Sequence, residues 1–97
     1  MAVFFIVNIE IPDQNDRASY DEYVAQVKPI VESYGGSYIV RSEQVELVAG
    51  ERKPDRIIVT RFENRKQLDA CFASKEYAAV KKLRESSVKA SAFIVEQ

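Results

Sequence analysis

Histidine is absent from this 97-residue chain, and cysteine occurs once, at Cys71. Without imidazole, the protein cannot use histidine as a general base or bind zinc or haem iron through histidine. A single thiol forms neither an intramolecular disulfide nor a cysteine metal site, and it is typical of a reducing compartment. We therefore expect a cytoplasmic protein with no metal and no cofactor.

The chain also lacks an excess of charge of either sign and lacks a long apolar run. Fourteen basic and fifteen acidic residues give a net charge of -1, whereas binding to nucleic acids or membrane surfaces requires excess positive charge. The N-terminal stretch MAVFFIVNIEIPD has no basic segment or cleavage site of a leader. It is far shorter than the roughly 20 apolar residues of a membrane span. We expect neither nucleic-acid nor membrane partners.

Apolar residues (46%) and charged residues (30%) are present in the proportions of one soluble globular domain, which we assign to residues 1–97. The β-branched and aromatic residues of Ala2 to Ile11 predict a first strand, which Pro12 closes. Because strand side chains alternate, this strand has two different faces. One face is wholly apolar and consists of Val3, Phe5, Val7, Ile9 and Ile11. The other consists of Phe4, Ile6, Asn8 and Glu10.

A helix is predicted from Asp16 to Tyr34, since its apolar residues recur at spacings of three and four. Asp13 or Asp16 can cap its start. Gly35 supplies the positive φ that ends helices, and Gly36 allows a tight reversal of the chain. These glycines end a helix instead of opening one, so they do not form a phosphate-binding loop.

The rest of the chain predicts three more strands and a second helical segment. The strands are assigned to Ser37–Arg41, Arg56–Phe62 and Ala90–Glu96, with Val45–Val48 either continuing the second strand or forming a short edge piece. Asn64, with Gln67 three residues later, is typical of a helix start, and Ser74 is typical of a second cap ten residues on.

This order, β-α-β-β-α-β, predicts an α+β, ferredoxin-like fold: a four-stranded antiparallel sheet with two helices on one face. The helices cannot cover both faces, yet Phe4 and Ile6 point to the uncovered side. An exposed apolar sheet face usually marks an interface. We therefore expect a homodimer that packs sheet to sheet.

Several short segments resemble the DUF1330 family of small uncharacterised proteins. These segments are Tyr20-Asp-Glu-Tyr23-Val24 before Pro29, Tyr34-Gly35-Gly36, Ile39-Val40-Arg41, Phe62 and Ser74-Lys-Glu-Tyr77. The family is similar to the dimeric α+β barrel superfamily, which implies pairing of two subunits through their sheets and a small-molecule cavity between sheet and helices. Relatives often carry glutamate at position 61 and an aromatic pair at positions 71 and 72, whereas this chain has Arg61 and Cys71-Phe72.

Arg41 is the leading candidate for ligand binding, because it ends a strand that borders the implied cavity. Its planar guanidinium can hold a carboxylate or an enolate through two hydrogen bonds. The alternative is a structural ion pair with Glu43, Glu46 or a carboxylate of a partner subunit.

The tyrosines are the second candidates, since a phenol can orient a ligand or serve as core filler with a polar tip. Tyr20, Tyr23 and Tyr38 are predicted to contact the ligand. Cys71 is interpreted as a core residue, and Asn8 either bonds across the dimer or lines the barrel interior. A basic group on the last helical segment is interpreted as a solvated face, with a phosphate patch as the alternative; it consists of Lys75, Lys81, Lys82, Arg84 and Lys89.

Two functions remain open from the residues. The first is a homodimer that binds a small organic molecule, either anionic or neutral, with Arg41 as the anchor, Tyr20 or Tyr23 as orienting groups, and cofactor-free catalysis as an option. The second is a non-catalytic dimeric scaffold or sensor. No catalytic residue is assigned.

Overall fold

The computed structural model describes residues 2–15 and 17–97, and it confirms the predicted α+β, ferredoxin-like arrangement. Seven elements follow one another in this described part of the chain. They are β1 (Val3–Glu10), α1 (Ala18–Ser33), β2 (Ser37–Ser42), β3 (Arg56–Phe62), α2 (Arg65–Phe72), α3 (Lys75–Glu85) and β4 (Lys89–Glu96).

The four strands form one antiparallel sheet in the order β2-β3-β1-β4. The most apolar strand, β1, therefore lies inside the sheet, between β3 and β4. One row across the sheet joins Arg41, Ile58, Val7 and Ala92, which are cross-strand partners in turn. Since alternate residues share a face, this row defines the side of the sheet that faces the helices.

The two faces of β1 differ as its alternation predicts. Val3, Val7 and Ile9 are buried against the helices, where Tyr20, Val27 and Val31 of α1 complete the core. On the opposite face, Phe4 and Ile6 remain half-buried in the single subunit.

The predicted second helix is two helices, each with the cap that the sequence indicates. The Asn64 side chain accepts the Gln67 N–H at 2.9 Å, and the Ser74 hydroxyl accepts the Tyr77 N–H at 3.1 Å. The Gln67 side-chain oxygen accepts the N–H of Glu63, one residue before the cap. The new cap at Ser74 breaks the segment, so the sheet carries three helices instead of two.

The first helix begins at Ala18, and no side chain caps it among the described residues. The Asp13 carboxylate, which we expected to cap this helix, instead accepts the N–H of Asn15 in a local turn. Asp16, the other expected cap and the predicted first residue of the helix, lies outside the described residues.

The end of α1 is a glycine-terminated Schellman motif. The Gly36 N–H donates to the Val31 carbonyl at 3.0 Å, and the Gly35 N–H donates to Glu32 at 3.1 Å. These bonds satisfy two carbonyls that a helix end otherwise leaves unpaired. Gly35 has φ of +91°, as expected, whereas Gly36 does not have a positive φ.

The predicted strand at Val45–Val48 is wrong, because this segment belongs to the irregular loop 43–55. The Ser42 hydroxyl accepts the Gln44 N–H at 3.0 Å, which turns the chain away from β3. The loop rejoins the sheet at Asp55, whose carboxylate accepts the Ile11 N–H at 2.7 Å and whose N–H donates to Ile9.

Within residues 2–15 and 17–97, none of the helices combines the length and the apolar character required to cross a bilayer.

Candidate functional site

A cavity of about 230 Å³ lies between the sheet and the helices and crosses all four strands. Its floor is the row Arg41, Ile58, Val7 and Ala92, together with neighbouring side chains on the same face. Helix α1 forms a wall with Tyr23, Val24, Val27 and Val31, while Phe72 and Tyr77 contribute from α2 and α3.

The cavity exists because side-chain volumes are uneven across the sheet. Ile9 and Val7 of β1 face Ala90 and Ala92 of β4, and the two alanines leave space that larger residues would fill. Every residue of β4 is exposed in the single subunit. The space therefore opens toward the β4 edge of the sheet.

Arg41 lies at the β2 side of the cavity and is held there by uncharged groups. Its guanidinium donates to the Val24 carbonyl of α1 at 2.8 Å, and its central carbon is 4.7 Å from the centre of the Tyr38 ring. This ring position gives a cation–π contact. None of the described carboxylates forms an ion pair with Arg41, so its charge is uncompensated by those residues.

Glu43, the nearest expected partner of Arg41, is bound elsewhere. Arg17 contacts both of its carboxylate oxygens at 2.9 and 3.2 Å, and Arg56 contacts it at 3.4 Å. These bonds join the loop after β2 to the start of α1 and to β3. The hydrogen bond from Arg17 holds the pKa of Glu43 below its ordinary value of 4.5.

Replacing Glu43 by glutamine is expected to lower stability at neutral pH but not in acid. A carboxylate whose pKa is lowered by folding stabilises the native state above its unfolded pKa, and this contribution disappears as pH falls through the folded pKa. Because Glu43 is 41% exposed, we expect only about 0.5–1 kcal/mol near pH 7. Chemical denaturation of both proteins at about pH 7 and pH 3 measures the difference; an equal difference at both values contradicts the ion-pair account.

Tyr23 and Tyr77 place their hydroxyl oxygens 3.4 Å apart in the buried wall of the cavity. Burial raises the pKa of Tyr23, and the neighbouring Tyr77 adds to the rise. Burial also raises the pKa of Tyr38 to about 12, although the charge of Arg41 opposes the change. Tyr23 and Tyr38 are therefore neutral at physiological pH, so they serve a ligand as hydrogen-bond donors and not as bases.

Tyr20 does not line the cavity, in contrast to the expectation for this residue. Its side chain is fully buried in the core, and its ring stacks beside that of Tyr23 with the centres 6.1 Å apart. Its hydroxyl finds no hydrogen-bond partner among the described residues. Tyr20 therefore supports the position of Tyr23 instead of reaching a ligand. Of the four residues predicted to bind the ligand, Tyr23, Tyr38 and Arg41 line the cavity.

Arg84 also lines the cavity, although its place in a basic group predicted a solvated face, with a phosphate patch as the alternative. It is half-buried near the end of α3. The spacing of Arg84 along the helix indicates this position, because Arg84 follows Tyr77 by seven residues and Val80 by four. Both of those residues are buried, so helical periodicity puts Arg84 on the same inward face.

Other candidate residues lie away from the cavity. Cys71 is fully buried, and burial raises the pKa of its thiol to about 11, which makes it a poor nucleophile. Asn8 lies on the opposite face of the sheet, in register with Ser91 and Ile57. No cluster of three or more metal-ligating side chains occurs in the described part of the chain.

The sequence model for a family described as a domain of unknown function, DUF1330, matches residues 2–97. Comparison with curated proteins found no match.

Several solved structures share the fold. A protein of unknown function from Rhodopseudomonas palustris has a TM-score of 0.80 at 15% identity, covering 99% of this chain and 82% of its own. A dimeric ferredoxin-like protein of unknown function from Jannaschia sp. CCS1 has a TM-score of 0.76 at 13% identity, covering 100% of both chains. SnoaB, a cofactor-independent oxygenase from Streptomyces nogalater, has a TM-score of 0.72 at 7% identity, covering 99% of this chain and 92% of its own.

Proposed function

Because this chain belongs to the DUF1330 family, for which no activity is defined, its function has to be inferred from the cavity: we propose that it is a homodimer that binds a small organic anion. The observation that carries the proposal is the charge of the cavity wall. Arg41 and Arg84 both line the space, and none of the described lining residues is Asp or Glu. Most of the remaining wall is apolar.

This combination favours an apolar molecule with an acidic group over an inorganic anion. The apolar walls stabilise a hydrocarbon body, and a few polar groups in such pockets fix its orientation. A guanidinium that is partly shielded from water attracts an anion more strongly than an exposed one. It also forms charge-assisted hydrogen bonds with a carboxylate or an enolate.

The dimer is proposed from the exposed face of the sheet and the exposed edge strand. Phe93 and Val95 of β4 are 54% and 43% exposed, and they are in register with Ile6 and Phe4 of β1. Ile94, on the other face of β4, is also 42% exposed. A long apolar edge strand of this kind is normally covered, and the similar protein from Jannaschia is described as dimeric.

Cofactor-free catalysis fits the charge of the cavity, because two arginines favour the ionised form of an enolisable or phenolic substrate. SnoaB, which shares the fold, is described as a cofactor-independent oxygenase. A non-catalytic sensor is the second candidate function. The raised pKa values of Tyr23 and Tyr38 favour it, since neither phenol is a base near neutral pH.

Replacing Arg41 by methionine is expected to weaken binding of benzoate or hexanoate by about 10- to 100-fold, the value of one charge-assisted contact. Calorimetric titration of the dimer measures this effect. The neutral amides, benzamide and hexanamide, are expected to bind the wild-type protein weakly. Arg65→Met is the matched control, because Arg65 is 50% exposed and bonds to Asp69 and Glu96 outside the cavity.

Equal affinity for the acids and their amides would contradict an anion site. Unchanged affinity of a folded Arg41→Met protein would show that Arg41 is structural. Thermal melting of each variant without ligand separates loss of binding from loss of the fold.

A further inference from the structure

The two arginines lie at opposite ends of the cavity. Arg41 is on β2 and Ala92 is on β4, the two edges of the sheet, and three strand spacings separate them. This separation is about 14 Å between the strand backbones. Arg84 lies at the β4 end, because its carbonyl accepts the N–H of Val88, and β4 begins at the next residue.

The two arginines have different polar neighbours in the cavity. Arg41 is fixed on the β2 side by the Val24 carbonyl and the Tyr38 ring. Tyr77 and Arg84 lie seven residues apart on the inward face of α3, and both line the cavity together with Tyr23. The charge of Arg84 also opposes the rise that burial produces in the pKa of Tyr23. The charge that opposes the rise at Tyr38 is instead that of Arg41.

The Tyr23–Tyr77 pair leaves one hydroxyl proton available. In a contact between two hydroxyls, one donates and the other accepts, and the acceptor retains its own O–H. No other acceptor for either hydroxyl occurs among the described residues. Beside Arg84, this free donor and the guanidinium together can bind one oxyanion.

A ligand with one acidic group neutralises only one of these positions. The other guanidinium then remains partly shielded from water without a counter-charge, which is unfavourable. From this geometry we propose that the cavity takes a compact organic acid with an anionic group at each end: Arg41 binds one group, and Arg84 with the Tyr23–Tyr77 pair binds the other. This inference rests on the proposed function and specifies its ligand class.

The test compares acids that differ only in the second charge. The wild-type dimer is titrated calorimetrically with the dicarboxylates succinate, glutarate, adipate and pimelate, each beside the monocarboxylate of the same carbon number, at constant ionic strength. One dicarboxylate length is expected to bind at least about tenfold more tightly than its matched monocarboxylate, the value of one added charge-assisted contact. Affinity is expected to fall for both shorter and longer members of the series.

Variants then assign the two ends. Arg84→Gln is expected to abolish the advantage of the dicarboxylate over its matched monocarboxylate, and Arg84→Lys is expected to retain part of that advantage. Lys82→Gln is the control, since Lys82 is exposed on the same helix and does not line the cavity.

The outcomes separate the two proposals. If monocarboxylates bind but no dicarboxylate binds more tightly, the dianion inference is overturned and the anion site stands. If the advantage persists in folded Arg84→Gln, the assignment to Arg84 is overturned. If neither class of acid binds, the proposed function fails together with the inference. The comparison of ligands on the wild-type protein holds even if a variant fails to fold.

Discussion

Replacing Ile6 by aspartate is expected to convert the proposed dimer into a folded monomer. Ile6 lies at the middle of β1, between Val59 of β3 and Phe93 of β4 on the face opposite the cavity. In a sheet-to-sheet dimer, this position is buried, and an unpaired buried charge weakens association by about 3–5 kcal/mol. The dissociation constant is then expected to rise by at least about 100-fold.

Sedimentation velocity over a micromolar concentration range measures this change, and circular dichroism confirms that the fold is retained. Ala79→Asp is the matched control, because Ala79 is exposed on α3 and the substitution adds the same charge away from the sheet. Phe93→Asp is a second variant on the proposed interface. A wild-type protein that sediments as a monomer, or a dimer that survives both substitutions, rules out this interface.

Replacing Gly36 by alanine is expected to cause the largest loss of stability at a glycine. A Cβ at this position would lie 2.5 Å from Val31 Cγ1 and 3.0 Å from two atoms of the Phe62 ring. Both neighbours belong to the buried core, so neither can move without disturbing packing. Overpacking of this kind typically destabilises by about 1–3 kcal/mol, and we expect the upper part of that range.

Gly50→Ala is the control for backbone conformation. Gly50 has φ of +113°, but the nearest atom to its Cβ is Leu47 Cδ1 at 3.9 Å, so only the backbone strain of about 1 kcal/mol is expected. Denaturant unfolding gives both values. In the double variant Val31→Ala with Gly36→Ala, the smaller neighbour removes the closest contact, so the combined loss is expected to be less than the sum of the separate losses. Simple additivity would contradict the steric account.

Several features that depend only on neighbours in sequence agree with the prediction, although the cap of α1 and the strand at Val45–Val48 do not. The caps at Asn64 and Ser74 and the positive φ of Gly35 depend on backbone groups within three residues, so the local sequence is sufficient. The two faces of β1 also depend on local sequence alone, because side chains along a strand alternate between the two sides of the sheet. The order of these strands and helical segments along the chain then predicts the ferredoxin-like fold.

Features that depend on distant residues were predicted less well. Tyr20 and Tyr23 are three residues apart and look equivalent on a helical stripe, yet their surroundings differ. The packing of α1 against the sheet buries Tyr20 completely and directs Tyr23 toward the cavity. Helical spacing shows which residues face inward, but it does not show what lies opposite each of them.

The path of the loop 43–55 determines which charged side chains pair, and spacing in sequence does not show this path. Nearness in sequence suggested that Glu43 pairs with Arg41, but the turn at Ser42 brings Glu43 to Arg17 and Arg56 instead. Arg41 thereby stays without a carboxylate partner among the described residues and remains available to the cavity. Such pairing depends on residues 13 and 26 positions apart, which no local pattern relates.

The amino-acid sequence is sufficient to predict the order of the strands and helical segments, the inward face of β1, the glycine end of α1, the caps of α2 and α3, and the exclusion of histidine chemistry. These properties follow from residue type and short-range periodicity. The presence of a cavity, and the position of both Arg41 and Arg84 in its wall, depend instead on how the elements pack. That outcome depends on the volumes of side chains from separate elements, above all the small Ala90 and Ala92 opposite Ile9 and Val7, and volumes are summed only when the chain is folded.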